Sequence, residues 1–167
     1  MRVPVLMVLT ASRNRTATGT GVLAAGILVL AFGNPAYVDW VPDNTNPDTA
    51  GGWFLRLLAW PAWRFSSEEP LRDLIAADLK AILLIVFAAV FLATFGAPQK
   101  SGGRVSALLA GWAACIFAAA VAGLVAALLL TDPSLLGAFQ AAGAGGAYGL
   151  FTGWIIGLAA LAGKHSD

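Results

Sequence analysis

The segment from Leu135 to Ala162 contains no Asp, Glu, Lys, Arg or His, and it is longer than the roughly 20 apolar residues that cross a bilayer as a helix. It also carries a small residue at every fourth position: Gly137, Ala141, Gly145, Gly149, Gly153 and Gly157. From Gly149 to Gly157 the residues off this stripe are mostly large. Such a groove is typical of a membrane helix whose backbone lies close to a second helix.

Three further apolar segments accompany this one. The predicted transmembrane helices cover residues 19–38, 67–96, 105–130 and 135–162, and an outer segment covers residues 39–66. Hydrophobic residues make up 59% of the chain and charged residues 11%, whereas a soluble domain has about 25% charged residues. The sequence therefore predicts a single all-α integral membrane domain over residues 1–167, with four transmembrane helices.

The first apolar segment has an alternative interpretation as a cleaved secretory signal. The basic region before it is long, and no clear small-x-small cleavage site follows it. We therefore expect an uncleaved helix that ends near Gly33-Asn34-Pro35, which is a strong stop signal.

The charge distribution predicts the orientation. Basic residues concentrate on the side of the two termini and the 99–104 turn, whereas acidic residues dominate the other side. The first group comprises Arg2, Arg13, Arg15, Lys100, Arg104 and Lys164; the acids on the other side are Asp39, Asp43, Asp48, Glu68, Glu69, Asp73, Asp78 and Asp132. Because basic loops stay in the cytoplasm, both termini are expected inside the cell.

The third apolar segment has a small-residue stripe of its own. It runs through Ala107, Gly111, Cys115, Ala119, Gly123 and Ala127, and the neighbouring register from Ala110 to Ala126 is all alanine. The short turn before Leu135 makes segments three and four antiparallel neighbours. We expect this broad alanine-rich face to receive the glycine groove, with Cys115 as a small packing residue. A groove used between chains is the alternative.

The outer segment divides into two parts. Residues Asn34 to Gly52 contain several prolines and aspartates and are predicted to be a loop. The aromatic part that follows is too short to span a bilayer, and its composition suits the headgroup boundary. It predicts a short interfacial helix that ends near Trp60, with Trp53, Arg56, Trp60, Trp63 and Arg64 as anchors. A lid over a lipid or substrate path is the alternative function of this part.

Asp78 is the one acid that could lie at membrane depth, just before the purely apolar run from Ala81. A carboxylate there would be a candidate for ion coupling. Lys80 follows two residues later, and long basic side chains extend to the membrane boundary. We therefore expect Asp78 and Lys80 to mark the outer boundary, with ion coupling as the alternative.

The remaining composition limits the chemistry. A net charge of +1 gives no field for nucleic acid, and Cys115 and His165 are the sole cysteine and histidine. No phosphate loop, nucleophile–base pair or cofactor motif is recognisable. We expect no catalytic residue, metal or cofactor.

The expected partners are the lipid bilayer and either other membrane subunits or further copies of the chain. The abundance of alanine and glycine and the scarcity of lysine suggest a multi-pass protein of a bacterial inner membrane. The expected function is that of an accessory or assembly subunit of a larger membrane complex. The alternatives are a small oligomeric channel or transporter built around the glycine groove and a subunit of a lipid-modifying enzyme.

Overall fold

The computed structural model describes residues 5–64, 71–95, 103–131 and 134–163, and all regular structure within these ranges is helical. The elements are α1 (Val5–Phe32), α2 (Pro35–Asn44), α3 (Ala50–Leu58), α4 (Leu71–Phe95), α5 (Arg104–Ala126), a π-helical turn (Ala127–Thr131) and α6 (Leu135–Gly163). The predicted all-helical class is confirmed for these residues. The first helix begins at Val5, well before the predicted residue 19, and it ends close to the predicted stop signal.

Three stretches are long and apolar enough to cross a membrane: Leu74–Phe95, Arg104–Leu129 and Leu135–Ala162. A fourth crossing results if Thr18–Phe32 and Pro35–Asn44, which meet at a bend of 59°, form one broken span. The described part of the chain thus has three or four helices that could span a bilayer.

The loop predicted from Asn34 to Gly52 is wrong for its first half, which forms α2. Asn34 caps this helix, since its side-chain oxygen accepts a hydrogen bond from the backbone N–H of Tyr37 at 3.0 Å. Pro35 occupies the first turn, where its missing N–H has no partner to lose. Pro42 lies near the end of α2, so its missing N–H affects only the last part of the helix. The residue types that suggested a loop are therefore compatible with a short capped helix.

Helices α1, α4, α5 and α6 form a four-membered ring. Helix α1 packs against α4 and α6, and α5 packs against the same two helices, so α1 and α5 lie on opposite sides. The rings of Phe91 and Phe95 in α4 lie 6.2 and 6.0 Å from that of Phe117 in α5. Near the other end of both helices, Ala76 and Ala126 line the same crevice. Helices α4 and α5 are therefore antiparallel.

Helices α5 and α6 form the closest contact. A Cβ added at Gly149 would lie 2.5 Å from the Cα of Ile116, and one at Gly157 would lie 2.7 Å from the carbonyl oxygen of Leu108. A Cβ at Gly111 would lie 2.9 Å from the Cα of Gly157. Real Cβ atoms do not approach other atoms so closely, so these glycines allow backbone-to-backbone packing of an antiparallel hairpin.

The second half of α1 packs against α4 and α6. A Cβ at Gly21 would lie 2.8 Å from Cδ1 of Leu92 and 3.5 Å from Cβ of Ala160, near the ends of α4 and α6. Helix α1 stops at Phe32, and the backbone N–H of Trp63 then donates to the carbonyl of Gly33 at 2.9 Å. The 60–64 segment thus lies at the end of α1, against the early turns of α4 and the middle of α6.

Candidate functional site

The predicted packing residues come together mainly along the α5–α6 contact. Cβ atoms added at Gly145 and Gly123 would collide with the backbone carbonyls of Ala119 and Ala141 respectively, and one at Gly153 would lie 3.0 Å from Cβ of Cys115. The partner of the groove is therefore the α5 register of Gly111 and Cys115 rather than the all-alanine register. Gly137 lies at the start of α6, where its N–H donates to the Ser134 hydroxyl at 3.0 Å.

Trp60 lies between α5 and α6. Its ring stacks on Tyr148 with centroids 5.2 Å apart, and its Cζ2 atom would be 3.3 Å from a Cβ at Gly123 and 2.9 Å from one at Gly145. Tyr148 is only 1% exposed. The two glycines therefore make room for an indole as well as for a neighbouring helix, and Trp60 packs within the protein.

Trp63 and Arg64 connect the ends of α1 and α4. The indole N–H of Trp63 donates to the carbonyl of Val29 at 3.1 Å. The backbone N–H of Arg64 donates to Oδ1 of Asp78 at 2.8 Å. The Arg64 guanidinium lies 4.0 Å from a carboxylate oxygen of Asp39, which is largely exposed. Asp78 thus serves as the acceptor that ties the 60–64 segment to α4.

The other two predicted anchors have different surroundings. Trp53 is 42% exposed and packs edge-on against Phe151 of α6, with centroids 4.9 Å apart. Arg56 donates to the Thr45 hydroxyl at 3.1 Å and to the carbonyls of Pro42 and Thr45, each at 2.8 Å. Arg56 therefore closes the connection between α2 and α3, whereas Trp53 keeps an exposed face.

Lys80 lies beside Trp60, and its expected place at the outer membrane boundary stays a prediction. Its ammonium lies 5.1 Å from the centroid of the Trp60 ring, a cation–π distance. Both side chains line a crevice of 270 Å³ between α4, α5 and α6. The other lining residues are small: Ala76, Ala77, Gly123, Ala126, Ala127 and Ala141. We call this space the Lys80 crevice.

A buried polar contact lies one helical turn after Tyr148 in α6. Thr152 is fully buried, and its hydroxyl donates to the carbonyl of Tyr148 at 2.8 Å. This bond satisfies a hydroxyl that would otherwise be costly to bury. The buried Cys115 thiol belongs to a side chain that closely faces Gly153, which is consistent with a packing role for Cys115.

Within the described ranges, no cluster of three His, Cys, Asp or Glu side chains could hold a metal ion. The fold and the site together define an all-helical protein with apolar helices suited to crossing a membrane. No protein-family model matches the chain, and neither the curated proteins nor the solved structures include a significant match.

Asp78 and Trp60 stand out in the sequence, but the position of Lys80 and Trp60 in one crevice was not predicted. A usable signal was present. Lys80 lies three and four residues after Ala77 and Ala76, so all three share one face of α4, whereas Asp78 lies about 200° away around the helix. A lysine on an alanine face of an apolar helix indicates a cation that points into the bundle.

Proposed function

We propose that the protein is a four-span membrane protein with both termini in the cytoplasm, and that it acts without catalysis as an accessory subunit of a membrane complex. Its partner is a transmembrane helix of an unlike chain. In this proposal α3 lies at the outer membrane boundary, with Trp53 towards the headgroups. The bacterial inner membrane is the proposed location, from composition.

The exposed face of α6 is the observation that carries the proposal. Leu136 and Phe139 are 71% and 67% exposed. Between these residues and Leu150 lie the exposed residues Gln140, Gly143 and Ala144, and a Cβ at Gly143 would meet no atom within 4 Å. A small residue beside an amide lets a second membrane helix approach and form a hydrogen bond in an apolar medium.

The other glycine face of α6 supports this choice, because α5 already covers it. Gly145, Gly149, Gly153 and Gly157 are buried against α5 of the same chain. An oligomer built on that groove would have to displace α5. The Gln140–Gly143 face is therefore the more accessible surface of α6 for a contact with another chain.

The test is purification in a mild detergent of the wild type and two variants. Gly143→Leu places a large side chain on the proposed contact, and Leu158→Phe changes an apolar position that is also exposed, at 45%, towards the far end of α6. We expect an unlike chain to accompany the wild type and Leu158→Phe in fixed ratio, and to be lost from Gly143→Leu. Recovery of the same chain with all three proteins, or of homo-oligomers alone, would contradict the proposal.

A small channel or transporter is the second candidate. It is favoured by Asp78 and Lys80, which both lie in the apolar stretch Leu74–Phe95, because ionisable side chains in such stretches often line pathways. Ion or solute flux into liposomes that contain the purified protein, abolished by Asp78→Asn or Lys80→Met, would favour this function over the accessory role.

A further inference from the structure

Among the described residues that line it, the Lys80 crevice contains one cation and no carboxylate. Lys80 and Trp60 carry the polar side-chain atoms of this described lining, and the indole face lies against the ammonium. Asp78 lies on another side of α4 and accepts the Arg64 N–H. Among the described carboxylates, none forms an ion pair with Lys80.

The surroundings of the Lys80 ammonium are mainly apolar, since small side chains and the Trp60 ring line the crevice. An ammonium in an apolar space is stabilised by a charged acceptor, so an anion is the ligand that this site favours.

The walls define the rest of the ligand. The alanines and Gly123 present methyl groups and backbone to the crevice, which is a surface for hydrocarbon. A volume of 270 Å³ lies just below the range of about 300–1,000 Å³ typical of ligand pockets, so the crevice suits a headgroup and the first part of a chain rather than a whole lipid. None of the α1 side chains that the structure describes lines the crevice, so helices α4, α5 and α6 and the Trp60 segment form its described walls.

We propose that the Lys80 crevice binds the anionic headgroup of a membrane amphiphile. The Lys80 ammonium contacts a phosphate or carboxylate oxygen, and the start of the acyl chain lies against Ala76, Ala126 and Ala141. Trp60 forms the floor and holds the ammonium by its ring face. This ligand site is independent of the Gln140–Gly143 face and of the proposed accessory role.

The experiment titrates the purified full-length protein, in a neutral detergent, with four separate probes: dioleoylphosphatidylglycerol, oleate, inorganic phosphate and dioleoylphosphatidylcholine. Tryptophan fluorescence and the midpoint of thermal unfolding report binding. We expect saturable binding of phosphatidylglycerol, oleate or both, which also identifies the headgroup, and no saturable response to phosphate or phosphatidylcholine.

Three variants locate the site. Lys80→Met should weaken binding of the anionic amphiphile about tenfold or more, because a hydrogen bond to a charged group is lost. Ala76→Leu keeps the charge but fills the crevice and should weaken binding similarly, so the proposal stays testable if Lys80→Met folds poorly. Arg104→Met removes one exposed positive charge at the start of α5 and should leave binding unchanged.

The proposal is overturned if free phosphate binds as well as the amphiphiles, or if phosphatidylcholine matches phosphatidylglycerol and oleate. It is also overturned if no probe gives a saturable response, or if Ala76→Leu binds as the wild type does.

Discussion

At the scale of single residues, the glycines of α6 differ sharply in what surrounds them. A Cβ at Gly149 would meet the backbone of Ile116 at 2.5 Å, whereas a Cβ at Gly143 would meet nothing within 4 Å. The two positions lie in the same helix and in similarly apolar sequence. Alanine substitutions at the two positions therefore distinguish the effect of close helix packing at Gly149 from the intrinsic helix preference of alanine over glycine at Gly143.

We predict opposite effects of Gly149→Ala and Gly143→Ala on the free energy of unfolding in detergent. Gly143→Ala should raise it by up to about 1 kcal/mol, because alanine favours a helix. Gly149→Ala should lower it by about 1–3 kcal/mol, because the added methyl separates two backbones. Equal effects at the two positions would show that the α5–α6 contact is looser than described.

Asp78 gives a second prediction at this scale, because its hydrogen bond to the Arg64 N–H can be kept or removed. Asp78→Asn retains an oxygen that can accept the bond and should change stability little. Asp78→Ala leaves the N–H without its partner and should lower the free energy of unfolding by about 1–3 kcal/mol. Amide exchange at Arg64, measured in both variants, should accelerate only in Asp78→Ala. Acceleration in both would mean that the negative charge itself holds the segment.

At the scale of elements, Trp60 forms the contact of the aromatic segment after α3 with α5 and α6. Trp60 fills the space between Gly123 and Gly145 and stacks on Tyr148. Trp60→Ala should therefore leave a cavity and lower the free energy of unfolding by about 3–5 kcal/mol. Trp53→Ala is the matched control. Because Trp53 is already 42% exposed, its loss should be clearly smaller.

Thermal or denaturant unfolding of both variants in the same detergent measures this difference. Limited proteolysis of the 45–64 region should also accelerate more in Trp60→Ala, since the segment loses its contact with α5 and α6. A larger loss for Trp53→Ala would indicate that α3 is anchored from its outer side.

The long apolar helices could be predicted from sequence because their signals are local. Absence of charge over a bilayer-length segment and the Gly-Asn-Pro stop signal act without tertiary context. The α2 helix escaped prediction because its prolines and aspartates are common in loops, and the cap formed by Asn34 decides the outcome.

The candidate site was predictable only in part, because it depends on contacts between distant residues. Tryptophans near a membrane segment are equally compatible with a headgroup belt and with packing inside the protein. The positions of Gly123 and Gly145, which are far from Trp60 in sequence, determine which of these two environments Trp60 occupies. The orientation of Lys80 likewise depends on the space that Trp60 leaves beside α4.

At the scale of the whole molecule, the end of α1 at Phe32 accounts for the site. Three long helices pack as a ring with α1, but α1 ends at Phe32 and the chain turns by 59° into α2. The 60–64 segment then contacts the end of α1, and Trp60 reaches between α5 and α6. The Lys80 crevice lies beside this segment, and none of the described α1 side chains lines it.

The last prediction concerns orientation in the membrane. The basic-residue bias places the turn before α5 inside the cell and the connection between α2 and α3 outside. Gly103 and Asp48 are both exposed in the structure and belong to these two regions. We expect an impermeant maleimide, applied to intact bacterial cells, to label Asp48→Cys but not Gly103→Cys.

Both variants need a background without the native thiol, so Cys115, which is buried, is replaced by alanine. Permeabilised cells supply the control, because Gly103→Cys must then react as fully as Asp48→Cys. The reverse pattern in intact cells would place the termini outside. Protection of both sites in intact cells, with reaction of both after permeabilisation, would place Asp48 and Gly103 on the same side and would contradict a membrane-spanning α4.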